Sequence, residues 1–306
     1  MADLFSDILS LANAQSVITG AFRAGGPWSI RFPAPDLIKF FGIVRGECWL
    51  RLDGEPEDVR LGPGDVFLLS APRAFILATD LGLAPVDAVA VFQACGAVAT
   101  LGQGDAFQLL GGHVELADGN GDLLTAVLPP MLLARAGSPQ AAASHWLLEQ
   151  LMQERSGELP GSGAASAQLA QLLFIHILRA HLAGTDRFPQ GWLRAVTDRQ
   201  LAPALRLMHG EPGRSWQLGE LAKAAGMSRT TFATRFRAAA GVPPLAYLTE
   251  WRMRLARRAL REGSTPVSTL AYALGYTSES AFSHAFKRTT GVAPRHLRGG
   301  GASVAD

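Results

Sequence analysis

Two stretches fifty residues apart constrain this chain more than any other feature: FATRFRAAAGVPP (232–244) and FSHAFKRTTGVAP (282–294) carry one amphipathic pattern, each ending in Gly-Val and a proline. Aligned on their phenylalanines, the copies extend upstream, LAKAAGMSRTTFATRFRAAAGVPP over LAYALGYTSESAFSHAFKRTTGVAP, with one extra residue in the second turn. Each copy spells an amphipathic helix, a turn containing Gly226 or Gly275, a serine (Ser228, Ser278) placed to cap a second helix, and a stop at Gly241 or Gly291. Glycine permits the left-handed backbone of such a turn, and the serine hydroxyl satisfies orphan amides at a helix start. This is the layout of a helix-turn-helix, present twice.

Within the second helix of each copy, Phe232 with Phe236 and Phe282 with Phe286 are i,i+4 pairs that must face a core beside Leu221 and Leu270. At about 100° per residue, the opposite face then presents Thr230, Thr234 and Arg237 in one copy and Ser280, His284, Lys287 and Arg288 in the other, with Ala233 and Ser283 on the flank. Short polar and basic side chains suit base edges and phosphates. Between the copies, PLAYLTEWRMRLARRALREG (244–263) has leucines and Trp251 at helical spacing and a dense arginine face. A helix of about 18 residues spans about 27 Å, enough to hold two reading helices apart. Recognition helices about 34 Å apart enter successive major grooves on one face of DNA.

Charge is divided in the same sense. Residues 211–298 hold fourteen Lys or Arg against five Glu, a net +9, so the remainder sums to −7 in a chain of net +2. An anionic partner is expected for the C-terminal part, nucleic acid first. The same residues could also form a helical bundle with a solvated basic face, although a bundle has no need to repeat turn, cap and Phe pair. For single residues the bland reading stays open: His284 could be a plain surface histidine, and Arg252, Arg254, Arg257, Arg258 and Arg261 could serve phosphate contact or solubility.

The stretch LAYALGYTSESAFSHAFKRTTGVAPRHLR resembles the AraC family of transcription regulators, whose DNA-binding region is two helix-turn-helix units joined by a linker helix; the match runs over about 215–298. The resemblance implies base contacts from Thr230, Ala233 and Thr234 and from Ser280, Ser283 and His284. Arg229, Arg237, Lys287 and Arg288 complete the expected DNA-contact set. Ala233 can offer only a methyl contact, as to thymine, so the second copy is expected to carry more of the polar contact.

Residues about 28–115 read as strands and turns, with short β-branched or aromatic runs broken by Gly, Pro and Asp clusters (FGIVRGECWLRLDG, EDVRLGPGDVFLL, APVDAVAVFQACG). From about 121 the texture turns helical, in DLLTAVLPPMLLARA, AAASHWLLEQLMQERSG and ASAQLAQLLFIHILRAHLAG, with a Gly/Ser/Pro loop at 156–166 and a boundary near 184–192. The β region resembles a cupin-type jelly roll, the sensor barrel common in AraC-type regulators, over about 1–130. Cupin enzymes hold a metal with histidines and a glutamate. Here His113 is the only histidine before residue 145, and FFGIVRGE (40–47) and SAPRAFIL (70–77) stand where the others would be sought. No metal and no cofactor are expected. A small organic effector could sit in the barrel, with Arg45, Trp49, Arg73 and Phe75 as candidate contacts, or the barrel could hold no ligand and serve dimerisation alone.

The expected fold is therefore α+β and multidomain: an N-terminal β-barrel (cupin-like jelly roll) plus helices, then an all-α double helix-turn-helix. The expected domains are a sensor barrel at 1–130, a helical dimerisation or linker segment at 131–190, and the DNA-binding domain at 191–298. No apolar run approaches the roughly 20 residues that span a bilayer, and MADLFSDILSLANA lacks the basic start of a secretory signal. A cytoplasmic location without membrane contact is expected. Cys48 and Cys95 are too few for a disulfide framework, have no CxxC spacing, and read as buried thiols. The partners implied are double-stranded DNA in two successive major grooves, a small effector, a second copy of the chain and RNA polymerase. No enzymatic activity is expected; the rivals are a cupin-type metalloenzyme fused to a DNA-binding domain and a sequence-tolerant architectural DNA binder.

Overall fold

Burial that alternates along short β-branched and aromatic runs builds a β-rich unit, residues 13–186, in the computed structural model. A second, helical unit joins residues 1–12 to 187–306. The structure describes residues 3–96, 98–116, 120–137, 141–156, 159–185, 188–263 and 265–297. Gly157 and Glu158 of the expected loop, Asp186 and Arg187 of the expected boundary, and Arg298, the expected end of the DNA-binding domain, lie outside these residues.

The first helix, α1 (Leu4–Ala12), belongs to the helical unit. The strands follow: β1 (Gln15–Gly25), β2 (Ser29–Phe32), β3 (Ile38–Arg45), β4 (Cys48–Leu52), β5 (Val59–Leu61), β6 (Val66–Leu69), β7 (Phe75–Ala78), β8 (Val86–Asp87), β9 (Val98–Gly102), β10 (Phe107–Glu115) and β11 (Met131–Ala134). One sheet has the order β11-β6-β3-β10-β1-β9 and the other β5-β4-β7-β2-β8, so the expected barrel is a jelly-roll-like sandwich of two sheets rather than one closed cylinder. β4 shows the rule that orients both: Cys48, Leu50 and Leu52 point to the core while Trp49 and Arg51 point to solvent. Phe22, Ile43, Phe67 and Leu109 from the first sheet meet Ile30, Leu50, Phe75 and Leu77 from the second in one core.

Three readings from sequence change here. Of the two thiols expected to be buried, Cys48 is buried and Cys95 is exposed. The run AVAVFQAC, expected in a strand, is the helix α2 (Ala88–Cys95), because Asp87 caps it by accepting from the Val89 amide and Gly96 ends it at φ 75°. The run DLLTAVLPPMLLARA (122–136), expected to be helical, splits into α3 (Asp122–Thr125) and strand β11. Pro129 and Pro130 stop helical hydrogen bonding, and MLLA then pairs with β6. Helices α4 (Ala141–Ser156) and α5 (Ser162–Gly184) pack on the outer face of the six-stranded sheet, where Gly42 of β3 leaves room for Leu148 of α4.

The helical unit comprises α1, α6 (Trp192–Thr197), α7 (Ala202–Gly210), α8 (Leu218–Ala224), α9 (Arg229–Ala240), α10 (Pro244–Glu262), α11 (Val267–Ala273) and α12 (Glu279–Thr290). Residues 4–12, grouped by sequence with the barrel, pack here instead, against α7 and α10. Leu4, Ile8 and Leu11 form a buried stripe at spacings of three and four. Beneath it, the His209 ring stacks on Trp251 with centroids 3.8 Å apart and shares a 2.8 Å hydrogen bond with the Tyr247 hydroxyl. Burial pushes the His209 imidazole down to about 4. Asp7 Oδ2 stands 3.4 Å from His209 Nδ1, in pairing distance but without hydrogen-bond alignment. Arg258 of α10 also reaches α1, donating to the Ser10 hydroxyl at 3.1 Å.

Ile8 is 1% exposed. Ile8→Ala is expected to lower the stability of the helical unit by about 2–5 kcal/mol, seen by calorimetry as an earlier transition for that unit with the β-rich unit's transition unmoved. An unchanged thermogram would show that α1 contributes nothing to the helical core.

Candidate functional site

The two copies of the repeated pattern fold as the same object. Gly226 and Gly275 take left-handed φ of 65° and 81° in the turns before α9 and α12. Ser228 accepts from the Thr231 amide at 3.2 Å and Ser278 from the Ala281 amide at 3.1 Å, so each second helix begins on a serine cap. Gly241 and Gly291, at φ 84° and 80°, end them. Phe232, Phe236, Phe282 and Phe286 are all fully buried. Around the first pair lie Leu205, Leu221, Trp216 and Tyr247, and around the second Met253, Leu260, Leu270 and Leu274.

That burial decides which faces remain outside. Arg229, Thr230, Thr234 and Arg237 of α9 are exposed, and Ala233 is half-buried; Ser280, His284, Lys287 and Arg288 of α12 are exposed, and Ser283 is half-buried. The predicted contact residues thus form one outward strip on each helix. Among the described residues, no carboxylate pairs with Arg229, Arg237, Lys287 or Arg288. Other arginines of the unit are engaged. Arg235 makes a two-pronged pair with Asp198, at 2.8 and 3.1 Å. Burial works to raise the Asp198 pKa, but Arg235 and the amides of Gln200 and Leu201 outweigh it and hold the carboxyl below its usual range. Arg214 lies 3.9 Å over the Trp216 ring and 2.8 Å from Glu220, and Arg258 is 2.8 Å from Glu262.

The arginine face of α10 is not uniform. Arg252, for which the sequence leaves phosphate contact and solubility both open, does neither: Nε donates to the Pro212 carbonyl at 2.6 Å and Nη2 to the Arg214 carbonyl at 2.9 Å. The loop it grips precedes α8, and the same loop touches the turn of the other helix-turn-helix. A Cβ on Gly275 would collide with the Gly213 carbonyl oxygen. One half-buried guanidinium therefore ties the approach to the first reader to the turn of the second. Sequence spacing could not show this, because carbonyl acceptors carry no residue-type signal.

In the β-rich unit a cavity of about 450 Å³ opens among inner-face residues of β1, β3 and β10 and one side of α2. Phe22, Phe32, Phe41, Phe92 and Leu109 form its apolar walls, with Lys39 and Gln93 among the polar ones. None of the four residues expected to touch an effector lines it. Strand alternation sends Trp49 outward; Arg45 pairs with Asp105 at 3.6 Å on the surface; Arg73 donates to Glu55 at 2.5 Å. Phe75 stands one ring behind the wall, stacked on Phe32 with centroids 4.7 Å apart. His113, on β10 opposite Lys39, is 3.3 Å from Glu115. Among the described residues, no three His, Cys, Asp or Glu side chains gather as a metal site, and no helix is long and apolar enough to cross a membrane.

A two-sheet jelly roll followed by paired, capped helix-turn-helix units defines a DNA-binding regulator class. Comparison with known proteins agrees: a cupin family model matches residues 3–183 and a helix-turn-helix domain model matches 221–300. A relative in Streptomyces antibioticus, described as an AraC-like transcription regulator, is 42% identical over 97% of this chain and 98% of its own. One in Streptomyces lividans, described in the same words, is 40% identical over the same shares. The transcriptional regulator AlkR of Acinetobacter baylyi is 29% identical over 90% of this chain and 92% of its own. The chain belongs to the AraC-like family of transcription regulators.

Arg252→Ala removes two charge-assisted hydrogen bonds and leaves two carbonyls without their donor. A loss of about 2–3 kcal/mol from the helical unit is expected, read as an earlier heat-denaturation transition, with Arg252→Lys recovering only part of it. Full stability in the alanine variant would refute the tie between the two units.

Proposed function

We propose that this chain is a sequence-specific transcription regulator that inserts α9 and α12 into two successive major grooves of double-stranded DNA. The observation that carries this is the outward strip on each helix. Four cations without acidic partners among the described residues flank short polar side chains, on two helices whose roll is fixed by buried phenylalanines. Phosphates would supply the missing counter-charges, and base edges would meet Thr230, Ala233, Thr234, Ser280, Ser283 and His284. α10, with 19 residues, is about 28 Å long, the right order for two readers on one face of a duplex.

The β-rich unit is the sensing part, its cavity being the place for a small organic effector that shifts the population of DNA-binding states. Leu172, exposed on the outer side of α5, supports pairing with a second copy through that helix. The regulator acts in the cytoplasm, meeting RNA polymerase at its target promoters, and has no catalytic role. A metalloenzyme reading has no donor set to stand on among the described residues.

His284→Ala is expected to relax base preference at one position of the bound sequence and to weaken binding to the preferred sequence by about 1–3 kcal/mol; an unaltered preference in binding-site selection would remove His284 from the reading set. Lys287→Ala is expected to weaken binding to every sequence and to flatten the dependence of log K on log salt by about one unit. An unchanged salt slope would return Lys287 to a solvated face.

A further inference from the structure

We propose that the cavity of the β-rich unit takes an apolar molecule carrying one negative charge, with the Lys39 ammonium as its charge partner. The proposal rests on the reading of this unit as a sensor and names the chemistry it senses.

Strand parity is the first observation. On β3, Gly42 faces the helix side against Leu148, which puts Ile38 and Phe40 on that side too. Lys39, Phe41 and Ile43 therefore face between the sheets. Phe41 and Ile43 are core residues there, and Lys39 occupies the third position of the same inner row. Lys39 is half-buried, so its ammonium keeps part of its hydration while its stem lies along the apolar row, and an anion arriving in the cavity would meet a charge that no protein group has paired.

Nothing described in the protein meets it. Among the described residues, no carboxylate pairs with Lys39. Two acids of the neighbouring elements have partners of their own: Asp87 accepts from the Val89 amide at 2.9 Å as the cap of α2, and Glu115 is 3.3 Å from His113. Among the described residues, Lys39 is the single charged residue of the cavity lining.

The rest of the lining sets the body of the ligand. Phe22, Phe32, Phe41 and Phe92 offer aromatic walls that reward apolar surface at about 25 cal/mol per Å². Gly111 leaves the floor open, and a Cβ there would press on the Phe41 ring. The volume of about 450 Å³ falls in the lower part of the range for small-molecule pockets, about 300–1,000 Å³. A neutral ligand would desolvate the ammonium without an acceptor of equal strength, and a doubly charged one would bury a second charge against phenyl rings. A single carboxylate or similar anion on an apolar body satisfies both constraints, with the Gln93 amide at hand as a further donor.

The test uses the full chain and two matched ligand pairs, 2-naphthoate with 2-naphthamide and octanoate with octanamide, by titration calorimetry. At least one acid is expected to bind with one-to-one stoichiometry and tenfold or more tighter than its amide. Lys39→Met is expected to bring that acid to the level of the amide, with amide affinity held within about twofold. Val89→Trp, which fills the mouth from an exposed position on α2, is expected to weaken both by tenfold or more. Equal affinity for acid and amide, or a preference that survives Lys39→Met, would overturn the anion assignment while leaving the sensor cavity in place. Absence of binding by all four, or indifference to Val89→Trp, would overturn the sensor reading as well.

Discussion

The burial of two phenylalanine pairs is the interaction on which the rest of the helical unit depends. Fully burying one phenyl ring is worth about 1.5–3 kcal/mol, whereas an exposed ion pair is worth about 0–1. Phe232 with Phe236, and Phe282 with Phe286, therefore fix the roll of α9 and α12, and the polar strips face outward as a consequence. The serine caps and left-handed glycines then set where each helix starts and stops. Arg252 adds the constraint that a pair of readers requires, tying the loop before α8 to the neighbourhood of the second turn.

With both helices locked alike, the difference between them lies in what the strips carry. α9 presents Thr230, Ala233 and Thr234, which offer hydroxyls and methyl groups, between Arg229 and Arg237. α12 presents Ser280, Ser283 and His284 beside Lys287 and Arg288. Short side chains demand close approach and discriminate mainly through the thymine methyl, while an imidazole can reach base-edge acceptors and donors. The two half-sites would then differ in stringency although the scaffold beneath them is duplicated.

The helical architecture was legible from sequence because its signals are local and occur twice: a cap, a glycine and an i,i+4 pair all lie within a dozen residues. What was not legible depended on distant partners. Leu4, Ile8 and Leu11 make a recognisable stripe, yet nothing near them says that α7 and α10 receive it. AVAVFQAC is a short, mostly apolar run that reads as a strand, and the Asp87 cap and the Gly96 stop that bound it as a helix are seen only in the structure. Of the effector contacts expected from sequence, strand parity and ion pairing send Arg45, Trp49 and Arg73 outward, while Phe75 is buried in the core one ring behind the cavity wall. The cavity is instead lined by phenylalanines, glycines and small residues that read as ordinary core. Its one legible sign was Lys39, two residues before Phe41 and four before Ile43, a charge in an inner-facing row.

The account is tested most directly by selecting bound sequences from a random double-stranded pool with the full chain. It predicts two short conserved blocks, their centres about 10–10.5 base pairs apart as two readers on one duplex face require, with the block under α12 more sharply defined than the block under α9. A single block, blocks of freely varying separation, or a bound pool no different from the input would contradict it.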